Sequence, residues 1–492
     1  MSPDPVDILR RHFGYPGFRP GQEELVRAVV AGRDALGILP TGGGKSVCYQ
    51  VPALALGGLT LVLTPLLSLM EDQVARAREA GLRAAHLSSV QSGAERREIA
   101  DQAERRRIDI LFVAPERLDS AAFRQFLLGL EVRLLAVDEA HCISEWGHDF
   151  RPAYRRIRSV RGLLRCPTLA LTATATPAVR QDILQSLALE SPLVVVRSFD
   201  RPNLSWSVRP GGSLESRVLS IYRLLRDAPG CAIVYAPTRR AVEIVRVRLA
   251  GWGVRAEAYH AGLAGPERSR VQAAFMNDEC RVVVATNAFG MGIDKPDVRT
   301  VVHVQLPGTL EAYYQEAGRA GRDGAPARCI AYFGRSDRRM ARAFIERTHP
   351  PARRLRRAHR LLRRSVDEMD VASVDDPRLR GVLGASVRAW LDGEPAGVLG
   401  ALERVGAIRR IVGPKDRNGT ETLPVGSERG RVGVRIRLDL STGVRLRGRA
   451  RAKLDAVQRF ARSRGCRRRA LLGYFGEDAP DDCGSCDRCT RH

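Results

Sequence analysis

Residues 134–152 read Leu-Leu-Ala-Val-Asp-Glu-Ala-His-Cys-Ile-Ser-Glu-Trp-Gly-His-Asp-Phe-Arg-Pro, and this stretch determines how the rest of the chain is interpreted. Its apolar start predicts a buried strand that ends at two adjacent carboxylates, Asp138 and Glu139. An acidic pair in this place is typical of nucleotide hydrolysis: Asp138 would bind Mg²⁺, and Glu139 would position or deprotonate the attacking water. An aromatic and basic loop follows directly, which indicates that hydrolysis is linked to a nucleic-acid contact.

Upstream, the glycine-rich segment Pro40-Thr-Gly-Gly-Gly-Lys-Ser46 follows another apolar strand and precedes a helical stretch. Glycines in such a loop let backbone N–H groups surround phosphates, and the helix N-terminus adds a favourable dipole. Lys45 would contact the β- and γ-phosphates, and Ser46 would hold Mg²⁺ through its hydroxyl. Leu39 stands where the general phosphate-loop pattern has its first glycine. The residues expected to surround the phosphates are Thr41, Gly42, Gly43, Gly44, Lys45 and Ser46.

A third element, Gln315-Glu-Ala-Gly-Arg319-Ala-Gly-Arg322, places two arginines at a predicted helix start. From there both side chains would point across a cleft at a bound γ-phosphate. Arg322 is the candidate arginine finger, a group that stabilises the charge spread over the transferring phosphoryl oxygens. The segment falls in a second α/β domain, so hydrolysis would require the two domains to close.

Two series of short apolar runs, each followed by a helical stretch, predict two α/β domains with parallel sheets. The join between them is expected at residues 198–216. We expect four parts in the whole chain: residues 1–203, 204–345, 346–445 and 446–492. The predicted strands are residues 34–39, 59–64, 108–113, 134–138 and 168–172 in the first series, and 231–235, 256–259, 281–285, 300–304 and 328–332 in the second.

Beyond residue 333 the sequence becomes Arg-rich and helical up to about Arg364. Two helices are predicted at 377–391 and 395–407, followed by strands at 407–412 and 432–438. This order is that of a winged helix, although a basic helical connector fits nearly as well. Residues 446–463 predict a long basic helix that leads into a cysteine cluster, and no further domain is expected after it.

The charge of the chain points to a polyanionic partner. Its 492 residues include 80 Lys plus Arg and 55 Asp plus Glu, a net charge of +25. Such a charge favours DNA or RNA, because each neutralised phosphate releases a counterion, although part of the arginine excess could reflect genome composition. No apolar run approaches the ~18 residues of a membrane span, and the N-terminus lacks a signal-peptide pattern. We therefore expect a soluble, cytoplasmic protein with no membrane partner, associated with the nucleoid if bacterial.

Four of the ten cysteines cluster near the C-terminus, three of them at C-x₂-C-x₂-C spacing. Four thiolates, a helix and a tight glycine turn suit a closed tetrahedral Zn²⁺ site. Disulfides are a poor alternative in a cytoplasmic enzyme, whereas an iron–sulfur cluster could use the same ligands. The other six cysteines are interpreted as reduced core residues. The four candidate ligands are Cys466, Cys483, Cys486 and Cys489.

Together these segments resemble the RecQ family of DNA helicases, over residues 13–345 and again over 466–489. Phe13-Gly-Tyr-Pro-Gly-Phe-Arg-Pro-Gly-Gln-Glu-Glu24 is similar to the family's motif 0. The resemblance implies that Tyr15 stacks on adenine and that Arg19 and Gln22 recognise the base and its surroundings. Residues 134–152 contain what resembles the aromatic-rich loop, which implies that aromatic rings stack on unpaired bases and that Arg contacts phosphate. The loop residues so implied are Trp146, His148, Phe150 and Arg151.

Further motifs follow the family's order. Residues 63–73 resemble motif Ia and residues 113–118 motif Ib, both implied to track a DNA strand. Residues 171–175 resemble motif III, with Thr172 and Thr174 implied to relay hydrolysis to DNA. Residues 285–296 resemble motif V. The resemblance implies that Thr286 contacts the DNA strand and that Asp294 lies near the interdomain cleft. His141 is expected to couple to the partner domain rather than to ligate a metal.

The resemblance implies two tandem RecA-like domains, a helical or winged-helix-like region and a C-terminal zinc-binding helical platform. It also implies an ATP-dependent DNA helicase that moves 3′ to 5′ on single-stranded DNA, acts on tailed duplexes, and uses ATP, Mg²⁺ and Zn²⁺. A DNA-dependent ATPase that acts as an annealing or binding switch without processive unwinding is the alternative, and RNA remodelling is disfavoured. The chain departs from the family's usual order because a long segment precedes the cysteines. We therefore hypothesise that residues 377–445 supply a substitute wing.

Overall fold

The computed structural model describes residues 3–40, 42–65, 67–88, 91–147, 149–228, 230–290, 293, 295–364, 371–373, 398, 401–402, 408–410, 431–434 and 440–490. The chain divides into two compact units. The first combines Met1–Phe333 with Phe460–His492, and the second is Gly334–Arg459. Within the described ranges, no helix is long and apolar enough to cross a membrane.

The N-terminal part of the first unit is built on a seven-stranded parallel sheet, counted over the described residues, in the order β3-β4-β2-β5-β6-β1-β7. Three of its inner strands, β2, β4 and β6, are buried along their whole length, as apolar runs covered by helices on both faces require. The strands are β1 (Ala35–Ile38), β2 (Leu59–Leu63), β3 (Ala84–Leu87), β4 (Ile110–Val113), β5 (Val132–Val137), β6 (Thr168–Thr172) and β7 (Leu193–Val196).

The helices of this domain include a basic N-terminal helix and the helix that follows the phosphate loop. They are α1 (Pro5–Phe13), α2 (Gln22–Val30), α3 (Val47–Leu56), α4 (Leu67–Glu79), α5 (Gly93–Glu104), α6 (Ala121–Leu128), α7 (Ile157–Leu164) and α8 (Pro177–Leu187), with 3₁₀ turns at Pro115–Asp119, Ala140–Ile143 and Pro152–Arg156. The core between sheet and helices includes Leu25, Tyr49, Phe112 and Leu134, all at most 1% exposed.

A second parallel sheet, six-stranded over the described residues, follows in the order β10-β11-β9-β12-β13-β8. Its strands are β8 (Leu204–Pro210), β9 (Cys231–Tyr235), β10 (Ala256–Tyr259), β11 (Val282–Ala285), β12 (Val298–His303) and β13 (Ala327–Phe333). The accompanying helices are α9 (Leu214–Arg226), α10 (Arg239–Gly251), α11 (Gly265–Met276) and α12 (Leu310–Ala317). All ten predicted strands of the two series are present, most with ends within two residues of those expected.

The sequence analysis missed one strand of this region, and one of its predictions was wrong. The join expected at 198–216 contains β8, which pairs with β13 along its full length. This strand is hard to recognise because only alternate residues, such as Leu204 and Trp206, are buried. The wrong prediction concerns the arginines: α12 ends at Ala317, so Arg319 and Arg322 follow a helix end rather than open a helix. Gly321, between the two arginines, has a φ of 55° in the left-handed region, so no helix continues through this segment.

The cysteine segment completes the first unit. Helix α16 (Arg467–Tyr474) lies next to α12 and β8. Phe475 stacks on Phe199 with ring centroids 4.5 Å apart, and Tyr314 meets Phe475 edge-on. Arg180 of α8 donates a hydrogen bond to the Phe475 carbonyl at 2.8 Å. The segment therefore contacts α8 of the first α/β domain as well as the second domain.

The described residues of the second unit include two basic helices and a small antiparallel sheet. The helices are α13 (Arg335–Thr348) and α14 (Ala352–Arg364), and α15 (Ser441–Arg462) begins here. Its strands are β14 (Val371–Ser373), β15 (Ile408–Arg410) and β16 (Arg431–Val434), in the order β14-β16-β15. The strands predicted at 407–412 and 432–438 are thus present and paired. The helix predicted at 377–391 lies outside the described residues, so the winged helix stays a prediction.

Candidate functional site

A cleft of about 520 Å³ brings the predicted nucleotide-binding residues together from both α/β domains. The first domain supplies its phosphate loop and acidic pair, and the second supplies the two arginines together with Gly290 and Ile293. This convergence requires the two domains to face each other across the site. The predicted site residues that line the cleft are Tyr15, Arg19, Gln22, Gly42, Gly44, Lys45, Ser46, Asp138, Glu139, Arg319 and Arg322.

The phosphate loop connects β1 to the N-terminus of α3. Gly42 and Gly44 have φ values of 84° and 67°, which side chains rarely adopt, and a Cβ on Gly43 would lie 2.8 Å from the Pro40 carbonyl oxygen. The loop therefore needs its glycines to turn back toward the helix. Thr41 lies outside the described residues.

Gln22 holds this loop from the side. Its Oε1 accepts from the backbone N–H of Arg19 at 2.8 Å, and its Nε2 donates to the carbonyls of Gly43 at 3.0 Å and Gly44 at 2.9 Å. Arg19 in turn donates from its guanidinium to the Gly42 carbonyl. The sequence did not reveal these contacts, which give motif 0 a role in shaping the phosphate loop. Tyr15 leaves half of its side chain exposed at the cleft, as a stacking platform requires.

The acidic pair lies at the end of β5, as predicted. The Asp138 N–H donates to the Leu63 carbonyl at 2.9 Å, and the Tyr154 hydroxyl donates to the Asp138 carbonyl at 3.0 Å. Glu139 has a φ of 47°, a strained backbone for a residue with a side chain. Burial raises the pKa of Asp138 to about 6, and the adjacent Glu139 carboxylate adds to the rise while Lys45 opposes it. A divalent cation would relieve this crowding of negative charge, so the donor set fits Mg²⁺.

His141 connects the acidic pair to motif III. Its Nδ1 lies 3.2 Å from Glu139 Oε2 and 2.9 Å from the Thr172 hydroxyl. Thr172 is fully buried, and its hydroxyl also lies 3.3 Å from the Thr174 carbonyl. The side chains of Thr172 and Thr174 are both buried, which suits the predicted relay of hydrolysis through the interior of the domain. The contact of His141 with the partner domain stays a prediction.

The two arginines Arg319 and Arg322, whose segment is here termed motif VI, have different surroundings. Arg319 is buried and donates to the Gly290 carbonyl, and a Cβ on Gly290 would lie 2.4 Å from its guanidinium carbon. Arg322 donates to the Ile293 carbonyl at 2.8 Å, and its Cγ would be 3.6 Å from a Cβ on Gly42. Arg322 thus lies against the phosphate loop, whereas Arg319 is fixed within its own domain. Asp294 lies outside the described residues.

The aromatic loop has one exposed ring and one covered ring. Trp146 is 41% exposed, whereas the guanidinium of Arg155 lies 5.3 Å from the centroid of Phe150. Arg151 donates to the Pro65 carbonyl at 2.8 Å, which fastens the loop to the motif Ia segment. Trp146 is therefore the loop's best placed side chain for stacking on a base. His148 lies outside the described residues.

The four clustered cysteines converge, with all ligand atoms within 4.8 Å of one another. Sγ of Cys489 lies 3.4 Å from that of Cys486 and 3.9 Å from that of Cys483, near the roughly 3.8 Å edge of a tetrahedron with Zn–S bonds of about 2.3 Å. Backbone N–H groups donate to three of the sulfurs at 3.4–3.5 Å. Burial opposes ionisation, yet hydrogen bonds with Ser485 lower the pKa of Cys483 to about 6. The structure describes all ten cysteines of the chain, and none of them forms a disulfide.

Arg467 and Asp487 support this centre, and the sequence analysis missed both. Arg467 is fully buried, and its Nε donates to Asp487 Oδ1 at 2.9 Å. Asp487 also accepts from the Val208 N–H at 3.2 Å, and its own N–H donates to the Trp206 carbonyl at 3.0 Å. The cysteine centre is thereby attached to the edge strand β8. The only sequence signal was the position of both residues next to ligand cysteines.

Three family models match the chain in the same order as these sites. Residues 19–183 match the DEAD/DEAH box helicase model, and residues 216–324 match the helicase conserved C-terminal domain. Residues 437–490 match the RecQ zinc-binding model. With the convergence of the four sulfurs, the last match identifies the four cysteines as a zinc site and disfavours the iron–sulfur alternative.

The solved structures support the same fold. The helicase Lhr of Mycobacterium smegmatis, bound to single-stranded DNA and AMP-PNP, shares 21% identity with a TM-score of 0.54, covering 92% of this chain and 62% of that one. This likeness shows the fold alone: two RecA-like domains in tandem.

Curated relatives identify the family. The ATP-dependent DNA helicase RecQ of Bacillus subtilis is 45% identical over 69% of this chain, and the matches to three RecQ proteins span 55–58% of those proteins' length. The probable ATP-dependent DNA helicase RecS of the same organism is 34% identical over 98% of this chain and 90% of its own length. With the phosphate loop, the acidic pair, the motif VI arginines and the zinc site in place, the chain belongs to the RecQ family of superfamily-two helicases.

Proposed function

We propose that the protein is an ATP-dependent DNA helicase that moves 3′ to 5′ along single-stranded DNA and unwinds tailed duplexes, in repair or recombination. One observation carries the proposal: a single cleft joins the phosphate loop and acidic pair of one RecA-like domain to Arg322 of the other. A nucleotide bound there would contact both domains. Its hydrolysis would therefore change how they fit together.

Binding would begin at motif 0 and the phosphate loop. The exposed ring of Tyr15 would stack on adenine, while the loop that Gln22 supports would surround the phosphates with backbone N–H groups. Lys45 would neutralise charge on the β- and γ-phosphates, and Ser46 and Asp138 would hold Mg²⁺. Held by these two residues, Mg²⁺ would supply positive charge that offsets the negative charge of the phosphates.

Hydrolysis would depend on Glu139 and Arg322. Glu139 lies beside Asp138 on the cleft wall and would orient the attacking water or take its proton. Arg322 would stabilise the charge that develops on the transferring phosphoryl oxygens, provided that the second domain stays closed on the loop. Loss of the γ-phosphate would remove the contact that favours closure.

Coupling to DNA would use the residues that follow the acidic pair. His141 contacts both Glu139 and Thr172, so a change at the catalytic carboxylate reaches motif III through one imidazole. The aromatic loop continues directly from this turn, and Trp146 would stack on an unpaired base. The relatives named as DNA helicases and the net charge of +25 support DNA as the polyanion. A cytoplasmic location is part of this proposal.

Strand displacement from a 3′-tailed duplex tests the proposal, with the wild-type protein and Lys45→Ala compared in ATP and Mg²⁺. We expect displacement by the wild type alone, and none from a matched 5′-tailed duplex. DNA-stimulated hydrolysis without displacement would reduce the protein to a translocase or an affinity switch. Stronger stimulation of hydrolysis by single-stranded RNA than by DNA would overturn the choice of nucleic acid.

A further inference from the structure

Helix α14 (Ala352–Arg364) carries an unusual concentration of positive charge. Its sequence, Ala-Arg-Arg-Leu-Arg-Arg-Ala-His-Arg-Leu-Leu-Arg-Arg, contains seven arginines and no acidic residue. On two other helices an arginine pairs with a carboxylate one turn away: Arg27 with Glu23 and Arg270 with Glu267, both at 2.8 Å. The sequence of α14 offers no such partner within the helix.

The helix has a buried face and a basic face. Leu355 and Ala358 are 2% and 0% exposed, and the helix packs against β14 and β16 of the small sheet. Four arginines that share the opposite face at helical spacing are exposed. This set, here termed the α14 basic face, consists of Arg353, Arg357, Arg360 and Arg364.

Like charges three or four residues apart repel one another, at about 0.2–0.5 kcal/mol for each pair in an isolated helix. The α14 basic face contains three such neighbouring pairs, so the helix carries a repulsion that a bound polyanion would remove. Packing of Leu355 and Ala358 keeps the helix in place without that anion.

The geometry of the face distinguishes among polyanions. From Arg353 to Arg364 the helix rises about 16 Å, close to the length of five base pairs of B-form DNA. No aromatic residue occurs in α14. Proteins that hold single strands combine cations with aromatic rings that stack on bases, whereas a duplex exposes phosphates and can be held by cations alone.

We propose that the α14 basic face binds the phosphate backbone of duplex DNA, independently of base sequence. This inference rests on the proposed function, because it assigns the helicase a place to hold the duplex part of a tailed substrate. The single strand would then be bound by the motor motifs and the duplex by this helix of the second unit.

The test compares two variants of the full-length protein that lose the same charge. One replaces the α14 basic face with four glutamines. The control replaces four exposed arginines scattered over the first unit, Arg33, Arg97, Arg223 and Arg248, in the same way. Binding to a blunt duplex and to a single strand is measured over a series of salt concentrations, together with hydrolysis stimulated by single-stranded DNA.

We expect the α14 variant to bind the blunt duplex at least about tenfold more weakly than the control, with the slope of log K against log salt reduced by about 3–4. Single-strand binding and stimulated hydrolysis should stay within about twofold of the control, because the substitutions leave every motor motif unchanged. A third variant with four lysines keeps the charge and should retain duplex binding, which separates loss of charge from loss of folding.

Equal duplex affinities and salt slopes for the α14 variant and the control would overturn the inference. So would an equal loss of single-strand and duplex binding in the α14 variant, because the face would then not select the duplex. Failure of the proposed function would give a different result. The wild type itself would then lack hydrolysis stimulated by DNA, whatever its affinity for the duplex.

Discussion

The hydroxyl of Thr172 lies 2.9 Å from Nδ1 of His141, and both side chains are buried. The two residues belong to different motifs, since His141 follows the acidic pair and Thr172 ends β6. The same imidazole nitrogen lies 3.2 Å from the Glu139 carboxylate. A change in charge or position at Glu139 therefore has a short polar route to the strand that precedes α8.

Thr172→Val should weaken the coupling between DNA binding and hydrolysis. The substitution keeps the shape of the side chain but leaves the imidazole without its hydroxyl partner, at a cost of about 1–3 kcal/mol for a buried polar group. We expect kcat of hydrolysis stimulated by single-stranded DNA to fall by about tenfold or more, with KM for ATP little changed. Steady-state hydrolysis over a range of DNA concentrations measures both.

Thr168→Val is the matched control for this experiment. Thr168 is a fully buried threonine on the same strand, outside the cleft. Equal losses of stimulated hydrolysis in the two variants would show that Thr172 serves the stability of the strand and not a relay.

Glu139→Gln should separate nucleotide binding from hydrolysis. The amide keeps the size of the side chain but cannot accept a proton, and general-base catalysis typically contributes about 10²–10⁴-fold. We expect kcat to fall within that range while the affinity for a non-hydrolysable ATP analogue stays near that of the wild type. Single-turnover hydrolysis and equilibrium binding check the two parts. A variant that retains most of its activity would remove Glu139 from the catalytic role.

Zinc removal should loosen the cysteine segment and its contacts with both RecA-like domains. The four sulfurs would be joined through the cation, while Arg467 and Asp487 tie their segment to β8. We expect Cys486→Ser to lower both zinc content and Tm, and a chelator to lower the Tm of the wild type. Metal analysis and thermal unfolding measure these effects.

Cys166→Ser provides the comparison for the zinc experiment. Cys166 is partly exposed and lies outside the cysteine cluster. Its substitution should leave the zinc content unchanged. A zinc content of Cys486→Ser equal to that of the wild type would contradict the assignment of this ligand.

The sequence was informative wherever a local pattern carried the chemistry. Residues 134–137 before Asp138 are a continuous apolar run, and the spacing of the four cysteines already indicates a metal site. The sequence was less informative where tertiary contacts decide the structure. Strand β8 is half-exposed and becomes a strand by pairing with β13, and helix α12 ends at Ala317, before the two arginines. The support that Gln22 gives the phosphate loop depends on residues distant in sequence, so no local pattern could show it.

Arg319 and Arg322 should differ in what their loss affects. Arg322 lies against Gly42 of the phosphate loop, whereas Arg319 is buried against Gly290 of its own domain. An arginine finger typically contributes about 10³–10⁵ in rate, so Arg322→Ala should lower kcat by at least about 10³ with Tm nearly unchanged. Arg319→Ala should lower Tm as well, because it removes a buried side chain and leaves the Gly290 carbonyl without its donor.

Steady-state hydrolysis and thermal unfolding of the two variants test this difference between the arginines. Arg322→Lys keeps the charge but loses the planar guanidinium, so it should recover only part of the rate. If Arg322→Ala hydrolyses ATP normally while Arg319→Ala is stable and inactive, the two assignments must be exchanged.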